Sequence, residues 1–453
     1  MTPRTRIFAA SKKSTLLLFM AALFSAVALP LQSCGHASRE PLTLKYFRLG
    51  WLAQPDDLST AAPLLQQFTH ESGVQLRNVP VPESTLDQLT LSRKLLAQPG
   101  SGPDVLGVDL IWSGVLDADL MDLAPHLAPE MSSLEPRLVA NYTINGKVVA
   151  LPYGAQIGVL EYRTDLLREY GFDHPPSTWE ELERMAVRIQ TGERAKGKKD
   201  FWGYVWQGAA AEALTCNALE WQAAEGGGRI IESDRSVSVN NPAAIRSWQR
   251  AKKWIGWISP PSVAEYRELD SMSVFDSGNA AFDRVWGGIT ITPSGSARLV
   301  HLRNSPILDK TGYTSMPGGP GGRAGTLGGA GLAVSRQTTH PPEAIELVRF
   351  LIRAETSANQ KESGSAATSG GPTFYDLPSL AEHRDGSKRQ VAGVVRRPSS
   401  EAGQAYEQVT RAYIDTLHSI LLGKRAAPEA ATDLEQQLIK ITGFRAGSPK
   451  PPE

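Results

Sequence analysis

Tyr142–Tyr162 reads YTINGKVVALPYGAQIGVLEY, and this stretch decides the fold. Asn145-Gly146 between β-prone flanks marks a tight type I′ hairpin, because both turn residues need positive φ. Beyond the hairpin, Ala150-Leu151-Pro152 leads into a second β-prone run, Ile157 to Tyr162. A strand crossing from one lobe of the protein to another fits there.

Outward from this stretch toward the N-terminus, Leu42–Leu49 and Val74–Val79 read as strands, and Pro103–Ile111 as a third. Between them, Leu64, Leu65 and Phe68 share one helical face, and Ser84 caps a helix carrying Leu86, Leu89 and Leu96. Strand, helix, strand, helix, strand implies parallel pairing through right-handed crossovers, so the expected class is α/β.

Toward the C-terminus, Pro175-Pro176 stops the preceding segment. Thr178 with Glu181, or Ser177 with Glu180, then opens a helix by a capping box. Leu182, Met185, Ala186 and Ile189 give it one buried face. Six of the ten tryptophans fall between Trp202 and Trp257, which predicts a large helical core with aromatic surface to spare for a cleft. Pro317–Gly322 (PGGPGG) reads as a loop, and Gly328-Gly329 as preceding a strand at Leu332–Val334. Val409, Tyr413, Ile414, Leu417 and Ile420 line a helix that stops near Gly423, and Leu434, Leu438 and Ile441 line another. Residues 355–371, rich in Ser, Ala and Gly, read as a mobile segment, and Ser448–Glu453 as a frayed tail.

At 453 residues with 41% hydrophobic and 21% charged residues, the chain is an ordinary globular mix too long for one typical domain, so two lobes are expected. Forty-seven basic residues balance 47 acidic ones, which leaves no excess to neutralise a phosphate backbone and argues against nucleic acid. Two cysteines make neither a disulfide framework nor a four-ligand zinc site.

Arg4, Arg6, Lys12 and Lys13 precede the apolar run Leu16–Leu29, which is shorter than a membrane span of roughly 20 residues and reads as a signal. Leu31-Gln32-Ser33-Cys34-Gly35 follows and resembles a lipobox, whose cysteine thiol takes a diacylglycerol. The expectation is a signal peptide over 1–33, lipidation at Cys34, a tether over 34–41, and a body held at a membrane from outside. Cys216, then left without a partner, reads as buried packing.

Catalytic patterns fail one by one. Gly192–Lys198 fits GxxxxGK, but Lys199 stands where a phosphate loop needs Ser or Thr, and the stretch follows a helix. No HxH or HExxH joins the eight histidines, and Gly-x-Ser-x-Gly is absent. Carboxylates are abundant enough to leave room for a glycosidase pair, although no catalytic spacing rises above background. Binding without chemistry is the simpler reading: no catalytic residue, no metal, no cofactor.

Tyr142–Glu225 (YTINGKVVALPYGAQIGVLEYRTDLLREYGF…PSTWEEL…FWGYVWQGAAAEALTCNALEWQAAE) resembles the carbohydrate-binding lipoproteins of ABC importers. So do PDVLGVDLIWSG at 103–114, ISPPSVAEYRELD at 258–270, FDSGNAAFDRVW at 275–286, TLGGAGLAV at 326–334 and RRPSSEAGQAY at 396–406. The resemblance is to bacterial extracellular solute-binding protein family 1, in its trehalose/maltose-binding branch. It implies a type II periplasmic-binding-protein fold, maltose-binding-protein-like, with two α/β lobes closing on a saccharide. It further implies ABC permease subunits as partners and a monomeric body. One lobe is expected over 42–152 and 311–372, the other over 153–310 and 373–447, with the tail at 448–453.

The same resemblance supplies candidate ligand residues. Asp109 matches an acid that takes sugar hydroxyls; a loop-capping role is the alternative. Trp112 follows it and joins the candidates, although packing suits it better. Trp286 matches a tryptophan that stacks on a pyranose ring, and Arg397 a hydroxyl clamp for which Arg396 is the alternative match. Tyr266 is a further aromatic wall or a buried tyrosine, and Gly329 completes the set. Departures from the pattern fall at Gln156, where relatives carry Asp, Asn or Glu, and at Gly154, where an aromatic is common and Tyr153 stands next door. Ala330 replaces a frequent tryptophan, and Gly50–Asp57 lacks the familiar glycine–acid arrangement. These changes imply a wider cleft, or one shaped for something other than trehalose. A non-sugar ligand with a signalling role is the second reading, and a carbohydrate-active enzyme a distant third.

Overall fold

Parallel strands β1 (Thr43–Phe47), β2 (Gln75–Val79) and β3 (Val105–Asp109) begin the main sheet in the order β2-β1-β3. Helices α1 (Ala61–Ser72) and α2 (Thr85–Leu96) supply the crossovers, as the alternating pattern requires. Ser84 Oγ accepts the Asp87 N–H, so the expected cap is present. The computed structural model describes residues 42–47, 61–289, 305–363 and 393–450, apart from positions 83, 99, 101 and 135. The signal, Cys34, the tether, the loop Gly50–Asp57 and positions 364–371 lie outside the described residues.

The hairpin forms as read: β4 (Thr143–Ile144) pairs antiparallel with β5 (Lys147–Val148), and Asn145 and Gly146 take φ of 51° and 79°. Strand β6 (Leu151–Arg163) continues from it for 13 residues, longer than the run predicted at Ile157–Tyr162. Strand β11 (Ala324–Val334) is its antiparallel neighbour and runs 11 residues, so Gly328-Gly329 lies inside a strand instead of before one. Every residue of β11 is buried, and burial on both faces lets a glycine-rich segment remain extended.

Among the described residues these two strands join the halves of a nine-stranded sheet, seven of whose strands run in the order β2-β1-β3-β11-β6-β9 (Ala280–Ile289)-β7 (Trp202–Val205) with two more beside that path. The C-terminal half of β11 pairs with β3, while its N-terminal half pairs with β12 (Gly393–Val395). The far end of β6 pairs with β9 and with β10 (Thr311–Ser315). Strand β7 lies parallel to β9 at the edge. A bulge separates Ala330 from Gly331, and next to it Gly329 has φ +146°. A Cβ there would come within 2.4 Å of the Gly154 carbonyl oxygen, so only glycine fits.

Alternation along the strands loads both faces of the β1–β3–β11 end. Leu44, Tyr46, Val105, Leu332 and Val334 pack beneath α7 (Pro341–Ser363), which buries Ala344, Leu347, Val348 and Leu351. Phe47, Leu106, Val108 and Ala333 face the opposite cluster with Trp112 and Tyr406. Helix α7 runs into the segment expected to be mobile, with 355–363 helical.

A larger core surrounds the β6–β9–β7 end. It takes one face each of α3 (Trp179–Ala195), α4 (Glu212–Ala224), α5 (Pro242–Trp254), α8 (Tyr406–Leu421) and α9 (Ala427–Thr442). Helix α6 (Glu268–Asp276) packs against β9. Thr178 Oγ1 accepts the Glu181 N–H at 3.2 Å, and the Glu181 carboxylate accepts from Ser177 N–H at 2.8 Å, one residue earlier than a reciprocal box requires. Trp179, Trp206, Trp221, Trp248 and Trp254 are all buried, with Trp206–Trp221 edge to face at 5.0 Å between centroids. Of the six tryptophans between Trp202 and Trp257, packing therefore consumes four, while Trp202 is partly buried and Trp257 exposed.

Gly192–Lys198 runs off the end of α3, where Lys196 and Lys198 close on Glu193, so it is a charged turn and no phosphate cradle. The tail is also more ordered than expected as far as Lys450, whose Nζ lies 2.9 Å from Asp234.

Candidate functional site

Residues paired across neighbouring strands share a face of a sheet, and residues two apart on one strand do too. Asp109 pairs with Ala330, Ala330 with Gly154, Gln156 with Gly328, and Gly158 with Trp286. Asp109, Ala330, Gly154, Gln156, Gly328 and Trp286 thus occupy one face where β3, β11, β6 and β9 run side by side. The middle of that face is floored by small residues. A Cβ at Gly154 would meet nothing within 4 Å, so open space lies above it, where the sequence pattern implied a missing aromatic.

Helix α4 covers the adjoining part of this face and is buried along its whole length. Glu212, Cys216 and Glu220 recur every fourth residue and form one stripe toward the sheet. Glu220 is fully buried and holds Arg284 by two contacts: Arg284 Nε donates to Oε2 at 3.1 Å and Nη2 to Oε1 at 2.6 Å. Glu220 Oε1 also accepts the Thr326 N–H at 3.0 Å, tying β11 to the pair. A Cβ on Gly158 would overlap this carboxylate at 1.8 Å.

The indole of Trp286 rests on the Arg284 guanidinium, 4.1 Å from carbon to ring centroid. Its edge covers Gly328, where a Cβ would lie 2.8 Å from the ring. Trp286 remains partly exposed. A buried ion pair thus supports an aromatic plate that keeps part of its surface open.

Arg397 follows β12, whose pairing with β11 delivers it to the other side of the floor. Its Nη1 donates to Glu212 Oε1 at 3.2 Å, and its Nη2 lies 3.4 Å from both Asp109 Oδ1 and the Leu327 carbonyl oxygen. Arg397 Nε is buried without a hydrogen-bond partner. Arg396 instead donates to Asn141, so the pair of arginines resolves with Arg397 inward. Glu212 Oε1 accepts from the Tyr406 hydroxyl at 2.6 Å, and Oε2 from Thr410 Oγ1 at 2.8 Å. The Tyr142 hydroxyl is buried and also without a partner.

Burial raises the Asp109 carboxyl above its ordinary range, with Arg397 and the Ile111 N–H pulling against it. Glu212 is raised for the same reason, against Arg397, Tyr406 and Thr410. Burial first, then the Asp109 charge, pushes the Tyr142 phenol well up. Cys216 is pushed to about 12, consistent with a packed, unreactive thiol.

The structure therefore gathers Asp109, Gln156, Trp286 and Arg397 about one floor, while Gly329 lies in the strand between them, paired with Ala155. Trp112 does not join them: it is fully buried among Leu106, Val108 and Tyr406 and offers no face to a cleft. This corrects its place among the candidates. Asp109 also caps the turn Leu110–Trp112 by accepting the Ile111 N–H at 3.2 Å, so the alternative reading of that residue describes it too. Tyr153 packs at the margin of the Leu44–Val334 cluster. Tyr266 is half-buried in a local turn, its hydroxyl accepting from Ser262, and its carbonyl accepts from Ala209 just ahead of α4. Sequence reasoning missed Glu212, Glu220, Arg284, Tyr142 and Tyr406. Only the two acids, eight residues apart on one face of an otherwise uncharged helix, hinted at the first two. Among the described residues, no group of His, Cys, Asp or Glu is placed to hold a metal, and no helix is long and apolar enough to cross a membrane.

A family profile described as bacterial extracellular solute-binding protein matches residues 53–358. A Deinococcus radiodurans protein named a probable ABC transporter-binding protein is 38% identical over 387 residues, covering 83% of this chain and 89% of that one. Among solved structures, maltose-bound MalE3 of T. maritima superposes with a TM-score of 0.72 at 27% identity, covering 88% of this chain and 100% of that chain. An ABC transporter solute-binding protein of Thermotoga lettingae bound with α-D-tagatose gives the same TM-score at 21% identity, covering 89% and 100%.

Proposed function

The chain belongs to the bacterial extracellular solute-binding protein family, and from that premise we propose that it captures a trehalose- or maltose-like di- or oligosaccharide for an ABC importer. The observation that carries this reading is the partly exposed Trp286 plate on the same sheet face as Asp109 and Gln156, with open floor at Gly154 between them. A sugar has an apolar C–H face and a rim of hydroxyls, and these groups match both. The maltose named for the T. maritima relative supports the ligand class. The name of the D. radiodurans relative, a probable ABC transporter-binding protein, supports the transporter part of the reading.

In this reading the lobes over 42–152 with 311–372 and over 153–310 with 373–447 close on the ligand, β6 and β11 carrying the bend. Differential affinity for the closed state drives the closure. Calorimetric titration of the protein with trehalose, maltose and longer glucans is expected to give saturable heat, with a contraction in solution scattering. Folded protein that binds none of them defeats the saccharide assignment.

Export and lipidation at Cys34 complete the proposal, since a tethered receptor stays near its permease. Mass spectrometry of a membrane fraction is expected to find a mature N-terminus at acylated Cys34. An unmodified N-terminus elsewhere removes the anchor but not the binding function.

A further inference from the structure

The floor beside Arg397 is short of positive charge. Its guanidinium is shared between two carboxylates, Asp109 and Glu212. The other cation on this face, Arg284, is spent on Glu220. Among the described residues, neither cation is left to meet an anion. Two donors remain without partners, Arg397 Nε and the Tyr142 hydroxyl, and both suit a neutral oxygen of a ligand. Burial pushes the Asp109 and Glu212 carboxyl groups up, with the single Arg397 charge pulling against it at both.

Resting on the saccharide reading above, we propose that this site sorts ligands by charge: it accepts neutral saccharides, prefers amino-substituted ones whose ammonium lies against Asp109, and rejects uronic acids and sugar phosphates. An anionic ligand at Arg397 meets a cation already outnumbered by two carboxylates, so it either suffers their repulsion at the open Nε or displaces one of them and leaves it buried without its counter-charge. An ammonium instead adds the charge that the two carboxylates lack, and does so in a site with little water to screen it.

The test is titration of the full chain with maltose, with a glucosamine disaccharide, with a glucuronate-containing disaccharide and with trehalose 6-phosphate. The amino sugar is expected to bind about tenfold tighter than its neutral counterpart at low salt, and the acid and the phosphate at least about 100-fold weaker. Raising the salt concentration is expected to narrow both gaps. In Asp109→Asn, which keeps the side-chain shape, the amino preference is expected to disappear; the salt series on the unaltered protein reads the same charge effect without a variant. If the acid or the phosphate binds within about tenfold of maltose, charge sorting is wrong while the saccharide reading stands. If no saccharide of any charge binds folded protein, both fall together.

Discussion

Arg397→Met is expected to destabilise the folded chain by about 3–5 kcal/mol, the usual cost of breaking a buried ion pair by removing one partner. The arginine stands between Asp109 at 3.4 Å and Glu212 at 3.2 Å, all three largely out of water. Methionine fills much of the volume but leaves two carboxylates facing each other with Tyr406 and Thr410 as their remaining support on the Glu212 side. Urea denaturation at neutral pH measures the loss. Its pH dependence has a definite sign. Both carboxyl groups already have raised folded pKa values, and losing the guanidinium raises them further. The folded variant then binds protons more readily than the unfolded chain, so its deficit shrinks as pH falls through the raised values toward the ordinary carboxylate range. A loss under about 1 kcal/mol, flat with pH, would mean that Arg397 does not neutralise these acids.

Trp286→Ala is expected to cost at least about 100-fold in saccharide affinity, from the lost stacking and roughly 100 Å² of apolar contact. The penalty to the fold is expected to be much smaller, about 1–2 kcal/mol, because what the indole gives the protein is chiefly its contact with Arg284. Trp254, fully buried between Trp179, Tyr204 and Trp221, is the control: its truncation falls in the range of about 3–5 kcal/mol for core aromatics. Calorimetry paired with thermal melting separates the two quantities. A Trp286→Ala protein that melts as early as a core truncation, or binds maltose normally, removes the plate from the site.

Partial exposure at Trp286 and full burial at Trp112 illustrate where the sequence stopped being informative. Both indoles stand in motifs that resemble a known family, and the sequence favours packing for Trp112 and stacking for Trp286 without showing what covers either. Trp112 ends a turn capped by Asp109 that points into the core, whereas Trp286 sits on a strand whose partner on β6 is a glycine. The difference is a matter of which residues lie opposite, and opposition is not written locally. Glu212 and Glu220 escaped notice for a related reason. A glutamate in an apolar helix is conspicuous only when its distant arginine is known.

The sequence alone determined what short-range chemistry controls. Asn145-Gly146 made its hairpin because few other pairs tolerate two positive φ angles, Ser84 and Thr178 capped their helices, and alternating strands and helices compelled parallel pairing through crossovers. The motifs also carried the family. Only the tertiary structure decided the site. Asp109 and Arg397 are 288 residues apart and Glu212 and Arg397 are 185, and they meet because β11 is threaded between β3 and β6 with β12 on its free edge. Sheet order follows from the burial of many side chains at once, so the meeting of three charges is a global property that no local pattern encodes.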